Sequence, residues 1–273
     1  MATKDGPIGV FDSGIGGLSI LKALRAELPN ESFVYIADSG NAPYGEKGDA
    51  FVIDRSLTLT QALIDQHNIK ALVVACNTAT AAAAKVLRAE FPDLPLVGVE
   101  PALKPAVQFS KTRKIGVMAT RGTLESAKFA ALKASLADQA DFIVQPCDGL
   151  AAAIEREDTP KIIALCATYT PALGRFGNSE GEIDTLVLGC THYPFINTQL
   201  RALTGTEVQF IDTGEPVARQ TRRLLEAAGT LNIKQVANGL DGLQLFTTGD
   251  SVGFTLLAKH WLGLPDHFQT FTI

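Results

Sequence analysis

The sequence predicts an α/β protein made of two pseudo-symmetric, doubly wound domains, each with a parallel sheet. Short runs rich in β-branched residues alternate with longer segments of helical period, which is typical of βαβ units. These runs recur in the same order at offsets of 107 to 114 residues. The chain has 273 residues, 46% of them hydrophobic, which is enough for two compact domains with apolar cores.

Four strands are predicted in each half. They are the runs at 8–10, 33–37, 72–75 and 95–99, and then those at 115–117, 142–145, 186–189 and 208–212. The ordered recurrence favours a duplication, although two unrelated doubly wound domains would give the same pattern.

Residues 213–273 are too few for a third domain. They hold a helical segment at 216–229, a strand candidate at 243–249 and an amphipathic stretch around Trp261. We expect this segment to return to the first half and complete its sheet. The chain would then cross twice between the domains, and two crossings permit a hinge.

Two proline-containing segments, at 100–105 and 212–216, are the best candidates for the boundaries. The predicted domains are residues 1–98 plus 212–273, which carry Cys76, and residues 99–211, which carry Cys190.

The composition excludes several classes of partner. The chain has 24 Lys and Arg against 29 Asp and Glu, so it lacks the basic field that nucleic acids and anionic membranes require. The N-terminus has no apolar signal segment and no run is long enough to span a membrane, so we expect a cytoplasmic protein. None of the four cysteines forms a C-x-x-C motif, which predicts free thiols without zinc or any other metal.

Ligands of parallel α/β sheets bind at the carboxyl ends of the strands. Four strand ends have unusual sequences here: F-D-S-G-I-G-G-L-S at 11–19, A-D-S-G-N-A-P-Y-G at 37–45, A-C-N-T-A-T at 75–80 and G-C-T-H-Y-P at 189–194.

The first of these nearly matches the dinucleotide fingerprint, and Asp38 lies 22 residues beyond Gly16, where a ribose-binding acid is expected. Ser19 stands where the third glycine should be, however, and Asp12 places a carboxylate where the pyrophosphate would approach. A turn whose amides bind a smaller anion, such as a carboxylate, fits equally well, as does a turn that serves only the backbone.

Cys76 and Cys190 occupy equivalent positions in the two repeats, 114 residues apart. Each is expected to precede a helix, whose N-terminus stabilises an anion by about 0.3–1 kcal/mol, or up to about 2 when partly buried. This would lower the pKa of a thiol from about 8.5 to about 7–8. Cys147 and Cys166 have no such equivalents and are expected to be buried packing residues.

A thiolate and a thiol that face each other across a cleft between similar halves suggest stereoinversion. One sulfur would take a proton from one face of a carbon, and the other would return a proton to the opposite face. His192 could instead serve Cys190 as a base in acyl transfer, so a hydrolase remains an alternative.

Taken together, the four motifs closely resemble the glutamate racemase family of the aspartate/glutamate racemase superfamily, from Ile8 to about Gly263. The resemblance implies two α/β domains that face each other across a substrate cleft. It also implies a cofactor-independent enzyme that interconverts L- and D-glutamate and supplies D-glutamate for bacterial peptidoglycan, with a homodimer as the family's assembly.

The resemblance also implies residue roles. Cys76 would act on D-glutamate with help from Asp12, and Cys190 on L-glutamate with help from His192. The residues that would hold the α-amino and α-carboxylate groups are Ser13, Asn77, Thr78 and Thr191. The loop of Pro43, Tyr44 and Gly45 would receive the side-chain carboxylate. Asp38 and Glu155 match acidic positions of the family's site, although Glu155 also fits an exposed charge at a helix end.

Departures from the family pattern are few. Glu46-Lys47-Gly48 follows the A-P-Y-G turn, and Phe195-Ile196 follows H-Y-P. The sequence does not show the long N-terminal extension of members activated by a cell-wall precursor, so we do not expect this regulation here. The alternatives that stay open are an aspartate or hydantoin racemase of the same superfamily, and a nucleotide-binding α/β protein.

Overall fold

The computed structural model describes residues 5–233, 242–262 and 268–272. The chain forms two compact units. The first comprises the chain up to Val99 together with the part from Gly214 onward, and the second is Glu100–Thr213.

The strands follow the apolar runs of the sequence. They are β1 (Ile8–Asp12), β2 (Phe33–Ala37), β3 (Ala71–Val74), β4 (Leu96–Gly98), β5 (Lys114–Ala119), β6 (Asp141–Pro146), β7 (Thr185–Gly189), β8 (Gln209–Ile211), β9 (Leu243–Thr247) and β10 (Gln269–Thr270).

The helices lie between the strands. They are α1 (Gly17–Glu27), α2 (Asp49–His67), α3 (Asn77–Glu90), α4 (Leu103–Phe109), α5 (Arg121–Glu125), α6 (Ala127–Ala134), α7 (Leu150–Glu155), α8 (Thr159–Ala172), α9 (Asn197–Thr204), α10 (Gly214–Ala227) and α11 (Ser251–Leu262). None of the described helices is long and apolar enough to cross a membrane.

The first unit is built on a parallel sheet with the strand order β10-β9-β2-β1-β3-β4. Every residue of β1, β2 and β3 is buried, as expected where helices cover both faces of a parallel sheet. On one face, Leu59 and Leu63 of α2 and Leu87 of α3 share an apolar core with Ile36 and Val74 of the sheet. This core supports the strand ends that carry the candidate site.

The second unit has a parallel sheet with the order β6-β5-β7-β8. This is the order β2-β1-β3-β4 of the first unit, with each strand replaced by its counterpart in the repeat. The predicted fold class, two parallel sheets of the same doubly wound topology, is therefore confirmed.

The C-terminal segment joins the first sheet. Strand β9 pairs with β2, with Leu243 opposite Phe33. Helix α10 packs against α1, where Arg222 forms an ion pair of 2.6 Å with Glu27. Trp261 lies in α11. Residues 234–241 and 263–267 of this segment lie outside the described residues.

A buried ion pair lies at the amino end of β3, away from the strand ends that carry the motifs. Lys70 Nζ lies 2.6 Å from Glu31 Oε2, and both side chains are almost completely buried. The Lys70 ammonium also donates to the carbonyl of Thr230, and Glu31 accepts the amide of Asn232. The pair therefore joins the start of β3 to the chain that follows α10.

The substitution Glu31→Gln should destabilise the first unit strongly. It removes the carboxylate that lies 2.6 Å from the buried Lys70 ammonium, and breaking a buried ion pair typically costs about 3–5 kcal/mol. The change in the free energy of unfolding can be measured by urea denaturation. Glu215→Gln is the matched control, because its partner Arg219 forms an exposed pair that contributes little. Equal changes in the free energy of unfolding for the two substitutions would show that the buried pair contributes no more than the exposed one.

Candidate active site

Each sheet has one topological switch point, where connections leave in opposite directions. With the order β2-β1-β3-β4 it lies at the carboxyl ends of β1 and β3, the usual ligand site of such sheets. Asp12 ends β1 and Cys76 follows β3 by two residues. In the second unit the equivalent ends belong to β5 and β7, and Cys190 directly follows β7. Both thiols thus lie at the switch point of their own sheet.

Asp12 organises the glycine-rich turn. Its buried carboxylate accepts the amide of Ser13 at 2.7 Å and also the amide of Gly17. Position 17 requires glycine, since a Cβ there would lie 2.5 Å from the Cβ of Asp12. Two amides of the turn therefore bind a carboxylate of the protein itself, that of Asp12. Because Asp12 already occupies these two amides, the turn is poorly suited to a dinucleotide phosphate.

Cys76 is the N-cap of α3, as predicted. Its Sγ accepts the amide of Ala79 at 3.4 Å and lies 3.8 Å from Ser13 Oγ. The expected lowering of its pKa is wrong. Complete burial and the charge of Asp12 raise the pKa of the Cys76 thiol, and its hydrogen bonds with Ala79 and Ser13 do not offset them. The thiol form of Cys76 is therefore favoured.

Asn77 and Thr78 open α3 beside this thiol, and both are buried. The amide nitrogen of Asn77 donates to the carbonyl of Val99 at 3.4 Å. Its Oδ1 atom is buried without a hydrogen-bond partner among the described residues. A buried acceptor without a donor is costly, so this atom is suited to receive an N–H group from a ligand.

Asp38 directly follows β2, at the start of the second motif, and is completely buried. Its Oδ2 accepts the hydroxyl of Tyr44 at 2.6 Å, and its two oxygens bind the guanidinium of Arg55 at 2.7 and 3.0 Å. Tyr44 opens a 3₁₀ turn, Tyr44–Glu46, that contains Gly45 and follows the cis bond between Ala42 and Pro43. A ribose-binding role for Asp38 is therefore disfavoured, because protein donors already fill its carboxylate.

Burial and the charge of Asp38, which accepts the Tyr44 hydroxyl, raise the pKa of Tyr44 well above its usual value. The phenol ring and the Cys76 side chain belong to one apolar core of the first unit. The Tyr44 loop, Asp12, Ser13 and Cys76 thus come together at the carboxyl edge of the first sheet.

In the second unit a hydrogen-bonded chain leads away from Cys190. Its Sγ lies 3.6 Å from Nδ1 of His192, and Nε2 of that ring lies 2.6 Å from Glu155 Oε1. Glu155 is the last residue of α7, and its side chain is 12% exposed, so it is not the exposed helix-end charge that the sequence also allowed. Thr191, between the thiol and the imidazole in sequence, is buried.

Burial favours the neutral imidazole, yet Cys190 and Glu155 outweigh it and raise the pKa of His192 well above its usual value. The protonated form of the ring is therefore favoured. The structure differs from the prediction of a helix directly after Cys190. A 3₁₀ turn, Tyr193–Ile196, contains Pro194, and α9 begins only at Asn197.

Cys147 and Cys166 are buried free thiols, as expected. Burial raises the pKa of Cys166 to about 11 and that of Cys147 further. Among the described residues, no group of three or more His, Cys, Asp and Glu side chains has an arrangement that could hold a metal ion.

Sequence reasoning missed two residues of the site, Arg55 and Thr248. Arg55 lies in α2 and Thr248 directly follows β9, and both donate to Asp38. Neither belongs to a motif. The only local signal is the helical position of Arg55, which is also typical of a solvated arginine.

The fold and these strand ends define an α/β protein that carries a thiol at the candidate site of each unit. The family described as Asp/Glu/Hydantoin racemase matches residues 17–221 of the chain. A glutamate racemase of Methylococcus capsulatus is 48% identical over 269 residues, covering 97% of this chain and 95% of the relative.

Comparison with solved structures also finds glutamate racemases. A glutamate racemase of Bacillus anthracis superposes with a TM-score of 0.84 at 32% identity, covering 99% of this chain and 98% of that chain. A glutamate racemase of Francisella tularensis in complex with D-glutamate gives 0.81 at 27% identity, covering 98% of each. The chain belongs to the Asp/Glu/Hydantoin racemase family.

We expect the His192 ring to stay protonated through neutral pH and the substitution Glu155→Gln to lower its pKa, because the carboxylate that stabilises the cation is lost. The ¹⁵N chemical shifts of the ring nitrogens report both. A raised pKa in the folded state also means that this protonation stabilises the fold fully below about pH 6.5 and that the stabilisation is lost as pH rises through the folded value.

His67 is the internal control for this titration, because burial lowers its pKa and it should be neutral at pH 7 in both proteins. The prediction is contradicted if the His192 ring titrates below about pH 6.5 in the unsubstituted protein.

Proposed function

We propose that this chain is a cofactor-independent racemase that interconverts L- and D-glutamate by a two-base mechanism. The observation that carries the proposal is the placement of Cys76 and Cys190 after topologically equivalent strands, β3 and β7, each at the switch point of its own sheet. The relatives support glutamate as the substrate, because they include curated glutamate racemases and a solved one in complex with D-glutamate.

In the proposed reaction the thiolate of Cys76 removes the α-proton of D-glutamate and becomes a thiol. The electron pair of the C–H bond remains on the α-carbon and delocalises into the α-carboxylate. The thiol of Cys190 then donates its proton to the opposite face and becomes a thiolate. The reverse sequence converts L-glutamate, so the protonation states of the two sulfurs alternate with each turnover.

Thiol chemistry alone does not supply the rate. Enzymes typically lower barriers by at least about 8 kcal/mol, whereas a helix N-terminus contributes at most about 2 kcal/mol to a thiolate. The remainder must come from fixed donors to the developing ene-diolate and from exclusion of water. The groups proposed to bind the α-substituents are Ser13, Asn77, Thr78 and Thr191. The Asn77 Oδ1 atom without a partner is suited to the α-ammonium group.

Asp12 and His192 have different proposed roles. The charge of Asp12 raises the pKa of Cys76, which makes its thiolate a stronger base once it is formed. Next to Cys190, the imidazolium of His192 stabilises a thiolate, and Glu155 holds the ring in place. The loop of Pro43, Tyr44 and Gly45 would bind the side-chain carboxylate, and Asp38 would support this loop.

The proposal extends to the biological setting. We propose that the protein acts in the cytoplasm as a homodimer and supplies D-glutamate for peptidoglycan. The basis is the family resemblance, together with the absence of a membrane-spanning helix among the described residues. We further propose that residues 1–98 plus 212–273 and residues 99–211 are its two domains.

Racemisation of L-glutamate in D₂O should place deuterium in the D-glutamate product, while unconverted L-glutamate keeps its α-proton at early times. This follows because two bases handle the two enantiomers, and a proton taken by one sulfur is not returned to the same face. Mass spectrometry of the separated enantiomers measures it. Rapid washout of the proton into the remaining L-glutamate would indicate a single base.

Cys76→Ala and Cys190→Ala should each reduce racemisation by about 10³-fold or more, within the range of a lost general acid or base. Circular dichroism follows the reaction in both directions. Cys166→Ala is the matched control, since it removes another buried thiol and should leave the rate nearly unchanged. Survival of either of the first two variants would reject the pair.

Among D- and L-glutamate, aspartate and glutamine and a 5-substituted hydantoin, only the glutamate enantiomers should be converted efficiently. Circular dichroism of each reaction provides the comparison. Efficient conversion of aspartate or the hydantoin instead would assign another reaction of this family. A thermal shift with NAD(P) or flavins, and none with glutamate, would favour a nucleotide-binding protein.

A further inference from the structure

We propose that Arg55 and Thr248 are positioning residues which, through Asp38, fix the Tyr44 loop and so set the length of the side chain that the enzyme accepts. This inference rests on the proposed function, in which that loop binds the side-chain carboxylate. We call Asp38, Asn41, Tyr44, Arg55 and Thr248 the Asp38 cluster.

The carboxylate of Asp38 is saturated by protein donors. Its Oδ1 accepts Arg55 Nη2 at 2.7 Å, Thr248 Oγ1 at 2.7 Å and Asn41 Nδ2 at 3.1 Å. Its Oδ2 accepts the Tyr44 hydroxyl at 2.6 Å and Arg55 Nε at 3.0 Å. A carboxylate offers about four lone-pair sites. Five donors leave none for a substrate, so Asp38 acts through the protein and not on the reacting atoms.

Arg55 keeps this carboxylate charged. Burial raises the pKa of Asp38, but the hydrogen bonds from Arg55, Tyr44, Thr248 and Asn41 outweigh it, so the pKa lies below its usual value. Arg55 forms a two-pronged contact, which fixes direction as well as charge. Only 19% of its side chain is exposed. The guanidinium therefore sets where the Asp38 oxygens lie.

Tyr44 transmits this position to the loop. Its ring is completely buried, and its hydroxyl donates to the oxygen of Asp38 that also accepts Arg55 Nε. The ring packs edge-on against Phe51 of α2. Because the ring cannot shift without losing its acceptor, the backbone from Pro43 to Gly45 is held at one distance from Cys76.

Thr248 provides a second contact, from a part of the chain 210 residues away from Asp38. Besides donating to Asp38, its hydroxyl accepts the amide of Gly40 at 3.2 Å, and the neighbouring Thr247 hydroxyl lies 2.6 Å from that of Ser39. The loop after β2 is therefore bound on one side by α2 and on the other by the turn after β9. Since β9 pairs with β2 along its whole length, the turn moves with the strand that carries the loop.

A loop fixed in this way affects which substrates the enzyme selects. The substrates named for this family differ in the length and shape of what lies beyond the α-carbon. A pocket that differs by one methylene discriminates by about 10–200-fold at most, and only if its far wall does not move. The Asp38 cluster supplies that rigidity. The side-chain carboxylate is common to both enantiomers, so a displaced loop should weaken L- and D-glutamate binding equally.

The test uses the full-length protein with Arg55→Met, Arg55→Lys and Thr248→Val. In Arg55→Met the KM for L- and D-glutamate should rise together by about tenfold, because a buried carboxylate loses its charged partner. The KM values of Arg55→Lys should lie between those of Arg55→Met and those of the unsubstituted protein. The preference for glutamate over aspartate, measured as the ratio of kcat/KM values, should fall in all three variants.

Two matched controls remove the same chemical groups elsewhere in the first unit. Arg222→Met breaks an ion pair of similar length with Glu27, and Thr221→Val removes a buried hydroxyl of α10. Both should leave KM and the substrate preference unchanged even where they lower the melting temperature. In an Asp38→Asn background, Arg55→Lys should add little to KM, because the carboxylate through which Arg55 acts is gone.

Some outcomes would overturn the inference. If Arg55→Lys and Thr248→Val keep the KM of the unsubstituted protein, or if KM rises for one enantiomer alone, the cluster does not position the loop. Thr248→Val keeps the ion pair, so it remains informative if Arg55→Met does not fold. Failure of the unsubstituted protein to racemise glutamate would reject the proposed function itself, which is a separate result.

Discussion

Desolvation of charge is the constraint on which the site in the first unit depends. Asp12, Asp38 and Cys76 lie at the carboxyl ends of adjacent strands, and the two carboxylates are completely buried. A charge without water is stable only where fixed donors replace the water. Asp12 therefore binds the amides of the glycine-rich turn, and Asp38 binds side chains from α2 and from the turn after β9. The loops at this edge have their shape because these groups must be satisfied.

The two thiols have electrostatic surroundings of opposite sign. Cys76 lies beside the carboxylate of Asp12, and burial adds to its effect, so the thiol form is favoured. Next to Cys190 stands a histidine whose pKa is raised. A two-base reaction needs one sulfur charged and the other protonated at the start of each turnover. If the groups beside the two sulfurs carried the same charge, both sulfurs would favour the same protonation state. The proposed reaction would then lack either its base or its acid.

The sequence predicted what depends on local pattern. The runs of β-branched residues marked the strands, the repeat predicted equivalent sheets, and the Ala-rich segment after Cys76 predicted its helix cap. The prediction of a lowered pKa for Cys76 was wrong because it considered the helix N-terminus and neglected the complete loss of water around the sulfur. Arg55 and Thr248 were missed because their contacts with Asp38 arise only from tertiary packing, across 17 and 210 residues. Glu155 was found through the family resemblance and not through local chemistry.

The two sheets are not equally extended, and this difference explains why one unit would bind the substrate side chain. Strand β2 is internal, with β1 on one side and β9 on the other, and it is buried throughout. Its counterpart β6 is the edge strand of the second sheet as described, and much of it is accessible. The loop after β2 can therefore be held from both sides, whereas only three residues separate β6 from α7. Each unit thus carries one thiol at its switch point, and among the described residues the unit with β9 is the one whose long loop is held beside its thiol from both sides.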